Sequence, residues 1–166
     1  RSSALQTVQP RAAKIDATGE FPWDLVQAFG KQGYLSLLLP ESCGGTDGDL
    51  TSFCMVIEEM AKVCGSSSLI LLAHGLGTLP VLLRGNPSQK DLCFAAISEK
   101  NSLMALALKE PEGELEVPSI KTTAEKKGMD YLIDGRKCFV THGSLAKFYC
   151  VFALTQPERG AEGISA

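Results

Sequence analysis

The chain has 166 residues, of which 45% are hydrophobic and 21% are charged. This balance is typical of a globular protein and excludes a disordered tail, a collagen-like repeat and a coiled coil. The net charge is −3, and no basic tract is longer than the Lys126-Lys127 pair, so the composition does not support a nucleic-acid partner.

The apolar run Leu69 to Ala73 is too short for a membrane span. The N-terminal Arg1-Ser2-Ser3 has neither a Met nor the apolar region of a secretory signal, and we expect the native chain to begin upstream. The 6 Cys form no CxxC pair, and the 2 His cannot complete a zinc site with them. An even count permits disulfides, but we expect reduced, mostly buried thiols and no metal. These features favour the cytoplasm or the mitochondrial matrix over secretion.

The first hundred residues predict four helices. The first begins at Phe21-Pro22-Trp23, with Pro in its first turn, and Gly30 and Gly33 end it. The second runs from about Leu50 to Cys64, because its apolar residues recur on one helical face. Gly44-Gly45, between these two helices, indicates a turn.

The third predicted helix is apolar almost all round, which indicates burial. Ser66 to Ser68 can cap its start, and it reaches Arg84. His74 lies on this helix, where a hydrogen-bonded core histidine is favoured over a catalytic one. The fourth helix starts at the capping box Asn86-Pro87-Ser88-Gln89 and ends near Glu99.

From Leu103 onward the pattern is typical of strands. The predicted strands cover residues 103–108, 119–124, 131–133, 138–141 and 148–154, and another begins at 163–166. Asp134-Gly135 predicts a hairpin turn between the third and fourth of these, and His142 is predicted to be a turn residue. We therefore predict an α+β fold in which a helical domain, residues 1–100, precedes an antiparallel β-barrel or meander domain, residues 101–166.

Common catalytic motifs are absent from the sequence. It contains neither of the glycine-rich phosphate loops GxGxxG and GxxxxGK[ST], nor a GxSxG elbow. Glu58-Glu59 on a charged helix face indicates a solvated surface. The residue chemistry alone thus leaves the activity unassigned.

A series of motifs nevertheless resembles a known family. The motifs occupy residues 16–23, 40–45, 56–64, 74–77, 85–90, 109–111, 121–125, 134–137 and 140–141. In order and spacing they resemble the N-terminal helical domain and part of the middle β-domain of acyl-CoA dehydrogenases, from about residue 12 to the end.

The resemblance implies a β-domain that holds FAD against an acyl-CoA thioester in fatty acid metabolism. In this family a carboxylate removes the α-proton while the β-hydrogen passes as hydride to flavin N5, and the electrons leave to an electron-transferring flavoprotein. Members form homo- or hetero-oligomers, and their C-terminal helical bundle supplies the catalytic Glu. We therefore expect this chain to be truncated before that bundle and to contain no catalytic residue.

The resemblance also implies positions for the cofactor and the substrate. Phe139 and Thr141 correspond to the flavin-contacting aromatic and hydroxyl residues, and Lys109 replaces a Thr that touches the flavin edge. The remaining expected flavin contacts are Leu106, Leu108 and Val140. For the substrate the expected contacts are Leu76 and Leu115, of which Leu115 replaces a hydroxyl residue.

The acyl pocket is expected along the third helix. Leu72, Gly75, Leu76 and Leu79 are its candidates, although core packing is the favoured role for each. The substitutions at Lys109, Leu115 and Phe139 leave two main hypotheses open. One is an active FAD-linked dehydrogenase, and the other is a related, non-catalytic subunit or scaffold that has lost flavin binding. A flavin enzyme with a different substrate or reaction is a third.

Overall fold

The computed structural model describes residues 1–111 and 120–166. Within these residues, helices come first and short strands follow, which confirms the α+β class. The helices are α1 (Gln9–Thr18), α2 (Trp23–Lys31), α3 (Leu50–Ala61), α4 (Gly65–Arg84) and α5 (Pro87–Lys100). The strands are β1 (Met104–Ala107), β2 (Thr123–Lys127), β3 (Asp130–Asp134), β4 (Phe148–Val151), β5 (Ala153–Leu154) and β6 (Ile164–Ser165).

The helical region begins earlier than the sequence predicts. A π-helical stretch, Ala4–Val8, leads directly into α1, whereas we expect no helix before Phe21. Its buried apolar residues are Ala4, Val8 and Ile15, which share one helical face but are only three in fifteen residues, a weak signal in the sequence. Packing against the other helices therefore stabilises this segment more than its own pattern does.

Side-chain caps fix the starts of two helices. At α5 the predicted capping box is confirmed, because Gln89 N–H donates to Asn86 Oδ1 and Asn86 N–H donates to Gln89 Oε1, both at 2.9 Å. At α3, Asp49 accepts a bond from Ser52 N–H at 2.7 Å. The predicted serine cap of α4 is wrong, since Cys64 is the capping residue and makes no side-chain cap bond.

Helix α4 is the central helix and packs against α3 and β1. It is the one helix of the described residues whose length and composition would also suit a membrane span, but half of that window is buried inside the protein. Gly77 allows the close approach to β1, because a Cβ there would lie 2.9 Å from main-chain atoms of Ala105. The helix therefore forms the layer on which β1 rests.

The strands form two small sheets with mixed pairing. β1 pairs with β4 in parallel, and the other sheet has the order β3-β2-β5-β6. In that second sheet the β2–β3 and β5–β6 pairs are antiparallel, whereas β2 and β5 pair in parallel. The predicted antiparallel meander therefore does not form, because β4 pairs with β1 and not with β3.

The predicted hairpin at Asp134-Gly135 is wrong. The turn lies one strand earlier, between β2 and β3, where Gly128 has φ +65°. Residues 138–141, expected as a strand, instead form a bend and turn, because Cys138 N–H bonds to Lys109 just after β1 and His142, which follows them, bonds to Met104 of β1. The strand expected at 119–124 starts at Thr123; residue 119 lies outside the described residues. The 148–154 strand is interrupted at Phe152.

The cysteines are all free thiols, as expected, but most are not buried. Cys93 and Cys150 are buried, whereas Cys54 is exposed and the other three are half-buried. Burial raises the pKa of Cys150 to about 11, so this thiol stays protonated at neutral pH.

The acidic pair Glu58-Glu59 is a surface feature, as predicted. Lys62 Nζ lies 3.0 Å from Glu58 Oε1 and 2.5 Å from Glu59 Oε1. Glu58 and Glu59 are therefore both paired with Lys62 on the surface of α3. We assign a catalytic role to neither carboxylate.

Candidate functional site

The site is built along the edge of β1 that faces away from β4. Odd-numbered residues of β1 point their main-chain groups toward β4, as Phe152 N–H shows by donating to Ala107 C=O at 3.1 Å. Even-numbered residues therefore direct their main-chain groups to the opposite edge. Met104, Leu106 and Leu108 share this second edge, which we call the open edge.

Two buried histidines hold the start of the open edge. Met104 N–H donates to His74 Nδ1 at 3.2 Å, and Met104 C=O accepts from His142 Nδ1 at 3.1 Å. His74 Nε2–H in turn donates to Leu35 C=O at 2.9 Å. These partners fix His74 as a neutral imidazole, and the predicted core histidine is confirmed.

Burial lowers the pKa of His74 to about 4, although the Leu35 carbonyl raises it and the nearby His142 lowers it further. Burial also lowers the pKa of His142, partly offset by the Met104 carbonyl. Both side chains are therefore structural and uncharged at neutral pH, and neither acts as a general base there.

His142 is a turn residue, as predicted, but its side chain is buried. Its φ of +66° turns the chain, while its ring packs edge-on against Phe21 with centroids 5.8 Å apart. Nε2 is buried and has no hydrogen-bond partner among the described residues. The ring therefore anchors the loop through one nitrogen only.

A buried ion pair holds the other end of the open edge. Lys137 Nζ donates to Glu110 Oε1 at 2.8 Å and to Leu108 C=O at 3.1 Å. Glu110 also accepts the N–H groups of Lys121 and Thr122 at 2.8 and 2.9 Å. Burial by itself would raise the pKa of Glu110, but Lys137, Thr122 and these amides outweigh it and bring the pKa to about 2.

The loop between these two anchors, residues 137–142, presents an aromatic ring to solvent. Cys138 N–H donates to Lys109 C=O at 2.8 Å, which holds the loop against the chain that leaves β1. The next residue, Phe139, has φ +51° and is 86% exposed. A large aromatic residue seldom adopts this backbone conformation, so the fold holds the ring outward at a cost in free energy.

One cation contacts this exposed ring. Lys109 Nζ lies 5.0 Å from the centroid of Phe139, within cation–π range. Among the described residues the Lys109 ammonium has no carboxylate partner. Within the described residues, the ring of Phe139 therefore carries on one face a positive charge without a carboxylate partner.

The structure thus brings together the six residues expected to contact a flavin. They are Leu106, Leu108 and Lys109 on and after β1, and Phe139, Val140 and Thr141 on the loop. Thr141 is exposed, which leaves its hydroxyl accessible. An aromatic face, the main-chain groups of Leu106 on the open edge and a hydroxyl suit a flat heteroaromatic ring with polar edge atoms, and a flavin is such a ring.

The two expected substrate contacts, Leu76 and Leu115, do not lie among these six residues. Leu115 lies outside the described residues. Leu72 and Leu76 are 37% and 43% exposed on α4, so the favoured core role is wrong for both. They lie on the helix face that no described element covers. Gly75 is buried, and a Cβ there would meet the ring of Phe53, so tight helix packing explains that glycine.

Sequence reasoning missed the residues that position the site, Lys137, His142 and Met104. Lys137 pairs with a residue 27 positions away, and His142 with one 38 positions away. A local pattern does not contain such distant pairings. The available signal was the charge complementarity of Glu110 and Lys137, each inside a motif that carries the resemblance.

Comparison with known proteins gives a consistent result. A family model described as acyl-CoA dehydrogenase, N-terminal domain, matches residues 1–100. A cyclohex-1-ene-1-carbonyl-CoA dehydrogenase of Syntrophus aciditrophicus (strain SB) is 43% identical over 166 residues, covering 99% of this chain and 40% of that protein.

Solved structures are similar over nearly the whole chain. A structure described as the electron transferring flavoprotein of Acidaminococcus fermentans matches with TM-score 0.92 and 31% identity, covering 99% of this chain and 43% of the other. An acyl-CoA dehydrogenase complexed with FAD from Bacillus anthracis matches with TM-score 0.80 and 28% identity, covering 90% of this chain and 27% of the other. The chain therefore spans less than half the length of the proteins it resembles.

Proposed function

The chain belongs to the acyl-CoA dehydrogenase family, and from this premise we propose that the whole protein is a FAD-dependent acyl-CoA dehydrogenase. The reaction removes a proton from the α-carbon and a hydride from the β-carbon of an acyl-CoA thioester, leaving an α,β-double bond. When bound, FAD supplies the hydride acceptor at its N5 atom. We assign no residue of this chain as the carboxylate that takes the α-proton.

The observation that carries the proposal is the outward presentation of Phe139 beside the open edge. The Phe139 ring would cover one face of a bound flavin, and the Thr141 hydroxyl would donate to a polar atom of its edge. The main-chain groups of Leu106 and the N–H of Leu108 would pair with donors and acceptors of the same ring, whereas the Leu108 carbonyl is taken by Lys137. The Glu110–Lys137 pair and His142 hold these groups in place before any ligand binds, which reduces the entropy lost on binding.

The exposed face of α4 supports a role in acyl binding. Leu72 and Leu76 project from the helix that packs against β1, so an acyl chain on this face lies on the same layer as the flavin. The cyclohexenyl substrate named for the relative from Syntrophus aciditrophicus gives a first candidate for this chain. Gly75 on the same helix packs against Phe53 in the core, so we assign it no contact with the acyl chain.

The proposal extends to partners and compartment. The similarity to the structure described for Acidaminococcus fermentans supports electron transfer to an electron-transferring flavoprotein. We propose a homo- or hetero-oligomer in the cytoplasm or the mitochondrial matrix, without a nucleic-acid partner.

The test is a visible absorption spectrum of the protein at its natural full length, before and after addition of excess FAD. We expect a bound flavin spectrum that bleaches without oxygen when an acyl-CoA is added. Cyclohex-1-ene-1-carbonyl-CoA, butyryl-CoA and octanoyl-CoA are the first substrates to compare. Bound flavin that none of a wide panel of acyl-CoA thioesters reduces would contradict dehydrogenation and favour another flavin-dependent reaction.

A second candidate is a non-catalytic relative that acts as a scaffold. The position of Lys109 favours it, because its ammonium occupies a face of the ring that would cover the flavin. On this hypothesis the full-length protein takes up no FAD at any concentration tested. Flavin uptake by Lys109→Thr and not by the parent would show that Lys109 blocks the site.

A further inference from the structure

The two lysines at the open edge, Lys137 and Lys109, differ in their electrostatic environment. Lys137 is nearly buried and neutralised by Glu110. Lys109 is half-buried, lies against Phe139 and has no carboxylate partner among the described residues. Of the two lysines at the open edge, Lys109 is therefore the one whose charge is available to a bound group.

Glu110, the carboxylate adjacent in sequence, cannot neutralise Lys109. Its Oε1 accepts from Lys137 and Thr122, and its Oε2 accepts from Lys121 N–H. The main chain of Lys109 is held by Cys138, so its Cα stays next to the loop. The main chain thus keeps the Lys109 ammonium within one side-chain length of the loop, and Glu110 does not neutralise it.

We propose that Lys109 raises the reduction potential of the bound flavin by stabilising its anionic, two-electron reduced form. This inference rests on the proposed function. A hydride carries two electrons and one proton, so its transfer from the substrate β-carbon to flavin N5 gives the neutral ring one negative charge. The α-proton leaves separately to the carboxylate base, and the substrate loses two electrons and two protons in all. A cation beside the ring favours the side of this equilibrium on which the ring is anionic.

The effect is measurable because Lys109 itself is half-buried, which reduces the screening of its charge by water. We expect removal of the charge to shift the ratio of reduced to oxidised flavin by about ten- to hundredfold at a fixed potential. For a two-electron couple this corresponds to a midpoint potential lower by about 30 to 60 mV.

The experiment measures the midpoint potential of bound FAD in the full-length holoenzyme by equilibration with a reference dye. Three variants are compared with the parent: Lys109→Met, Lys109→Arg and the control Lys147→Met. Lys147 is a matched control, because its ammonium lies 5.6 Å from the ring of Phe148 in a similar cation–π contact away from the open edge. Absorption spectra before each titration give the FAD content.

A second measurement reports the same charge without substrate turnover. Sulfite adds to N5 of oxidised flavin through its sulfur lone pair and gives an anionic adduct. We expect Lys109→Met to weaken sulfite binding about tenfold or more, and Lys109→Arg and Lys147→Met to bind it as the parent does.

The outcomes separate this inference from the proposed function. A lower potential and weaker sulfite binding in Lys109→Met alone would support the role of Lys109. Equal potentials in flavin-loaded parent and Lys109→Met would overturn it and leave the dehydrogenase proposal intact. An equal drop in Lys147→Met would also overturn it, since the effect would then be one of net charge. Absence of FAD from the parent and all variants would overturn the proposed function and this inference with it.

Discussion

Glu110 and Lys137 form an ion pair with 2.8 Å between Oε1 and Nζ, and their side chains are only 8% and 10% exposed. The pair joins the end of β1 to the loop that presents Phe139. Through its bonds to Lys121 and Thr122, Glu110 also ties in the chain that leads to β2. One carboxylate therefore joins three segments that are far apart in sequence.

Neutralising this carboxylate should destabilise the protein strongly. In Glu110→Gln the ammonium of Lys137 stays buried without a counter-charge, and we expect the free energy of unfolding to fall by about 3 kcal/mol or more. Urea denaturation followed by circular dichroism measures the change. The double variant Glu110→Gln with Lys137→Met should recover part of the loss, because no charge then remains buried.

The matched control is Glu125→Gln on β2. Glu125 pairs with Lys127 at 2.5 Å, but both side chains are more than half exposed, so this change should leave the urea midpoint unaltered. Similar losses for Glu110→Gln and Glu125→Gln would contradict a special role for burial.

Acid should remove the contribution of Glu110 in a defined range. The folded-state pKa of about 2 lies below the ordinary value of 4.5, so the stabilisation is present above about pH 4.5. It is lost progressively as the pH falls toward 2, and amounts to about 3 kcal/mol. Urea midpoints from pH 6 down to about 3 measure the slope, and Glu110→Gln should show a shallower one. Parallel pH profiles for parent and variant would exclude this carboxylate as the cause.

The histidines should remain neutral well below their ordinary pKa. The pKa of His74 is lowered from 6.5 to about 4, and that of His142 is lowered too. The unfolded chain gains protons below about pH 6.5 while folded His74 does not, so stability falls as the pH drops from 6.5 toward 4. Imidazole nitrogen NMR on histidine-labelled protein checks this directly, with His142→Asn to assign the two rings. Protonation of His74 near pH 6.5 would show that its buried bonds to Leu35 and Met104 are not maintained in solution.

The approach of α4 to β1 should tolerate no added methyl group. In Gly77→Ala the new Cβ would lie 2.9 Å from Ala105 main-chain atoms and 3.0 Å from Met104 Cβ. We expect a loss of about 1 to 3 kcal/mol in unfolding free energy, measured by urea denaturation. Gly65→Ala on the same helix is the control, since nothing lies within 4 Å of its new Cβ. The packing argument fails if Gly77→Ala is as stable as Gly65→Ala.

The hydroxyl of Thr141 should contribute to flavin retention. Thr141→Val keeps the shape of the side chain and removes the donor, so we expect FAD to dissociate about tenfold more readily, in line with the loss of one hydrogen bond. Fluorescence of released FAD on dilution of the holoenzyme measures this. Thr123→Val, an exposed threonine on β2, should match the parent. Unchanged FAD affinity in Thr141→Val would remove this residue from the site.

The sequence by itself determined the local elements whose signals are complete within a few residues. The capping box at Asn86 and the apolar stripe of α3 predicted helices that form as expected, because these interactions span one or two turns. The ordered motifs also identified the family, whereas flavin contact by the six residues around the open edge stays a prediction. His74 was predicted correctly as a core residue, since its surroundings on α4 are apolar.

Tertiary structure decided the features that depend on partners distant in sequence. The helix before Phe21 forms because Ala4, Val8 and Ile15 find a core to pack against. Residues 138–141 have strand-like composition, yet Cys138 bonds to Lys109 just after β1 and His142 bonds to Met104 on β1, so the chain turns instead of pairing with β3. The positive φ of Phe139 occurs in the loop that these contacts hold. Hydrogen bonds and ion pairs between remote residues outweigh local strand preference here, because an unpaired polar group buried in the fold costs more free energy than a weak local preference provides.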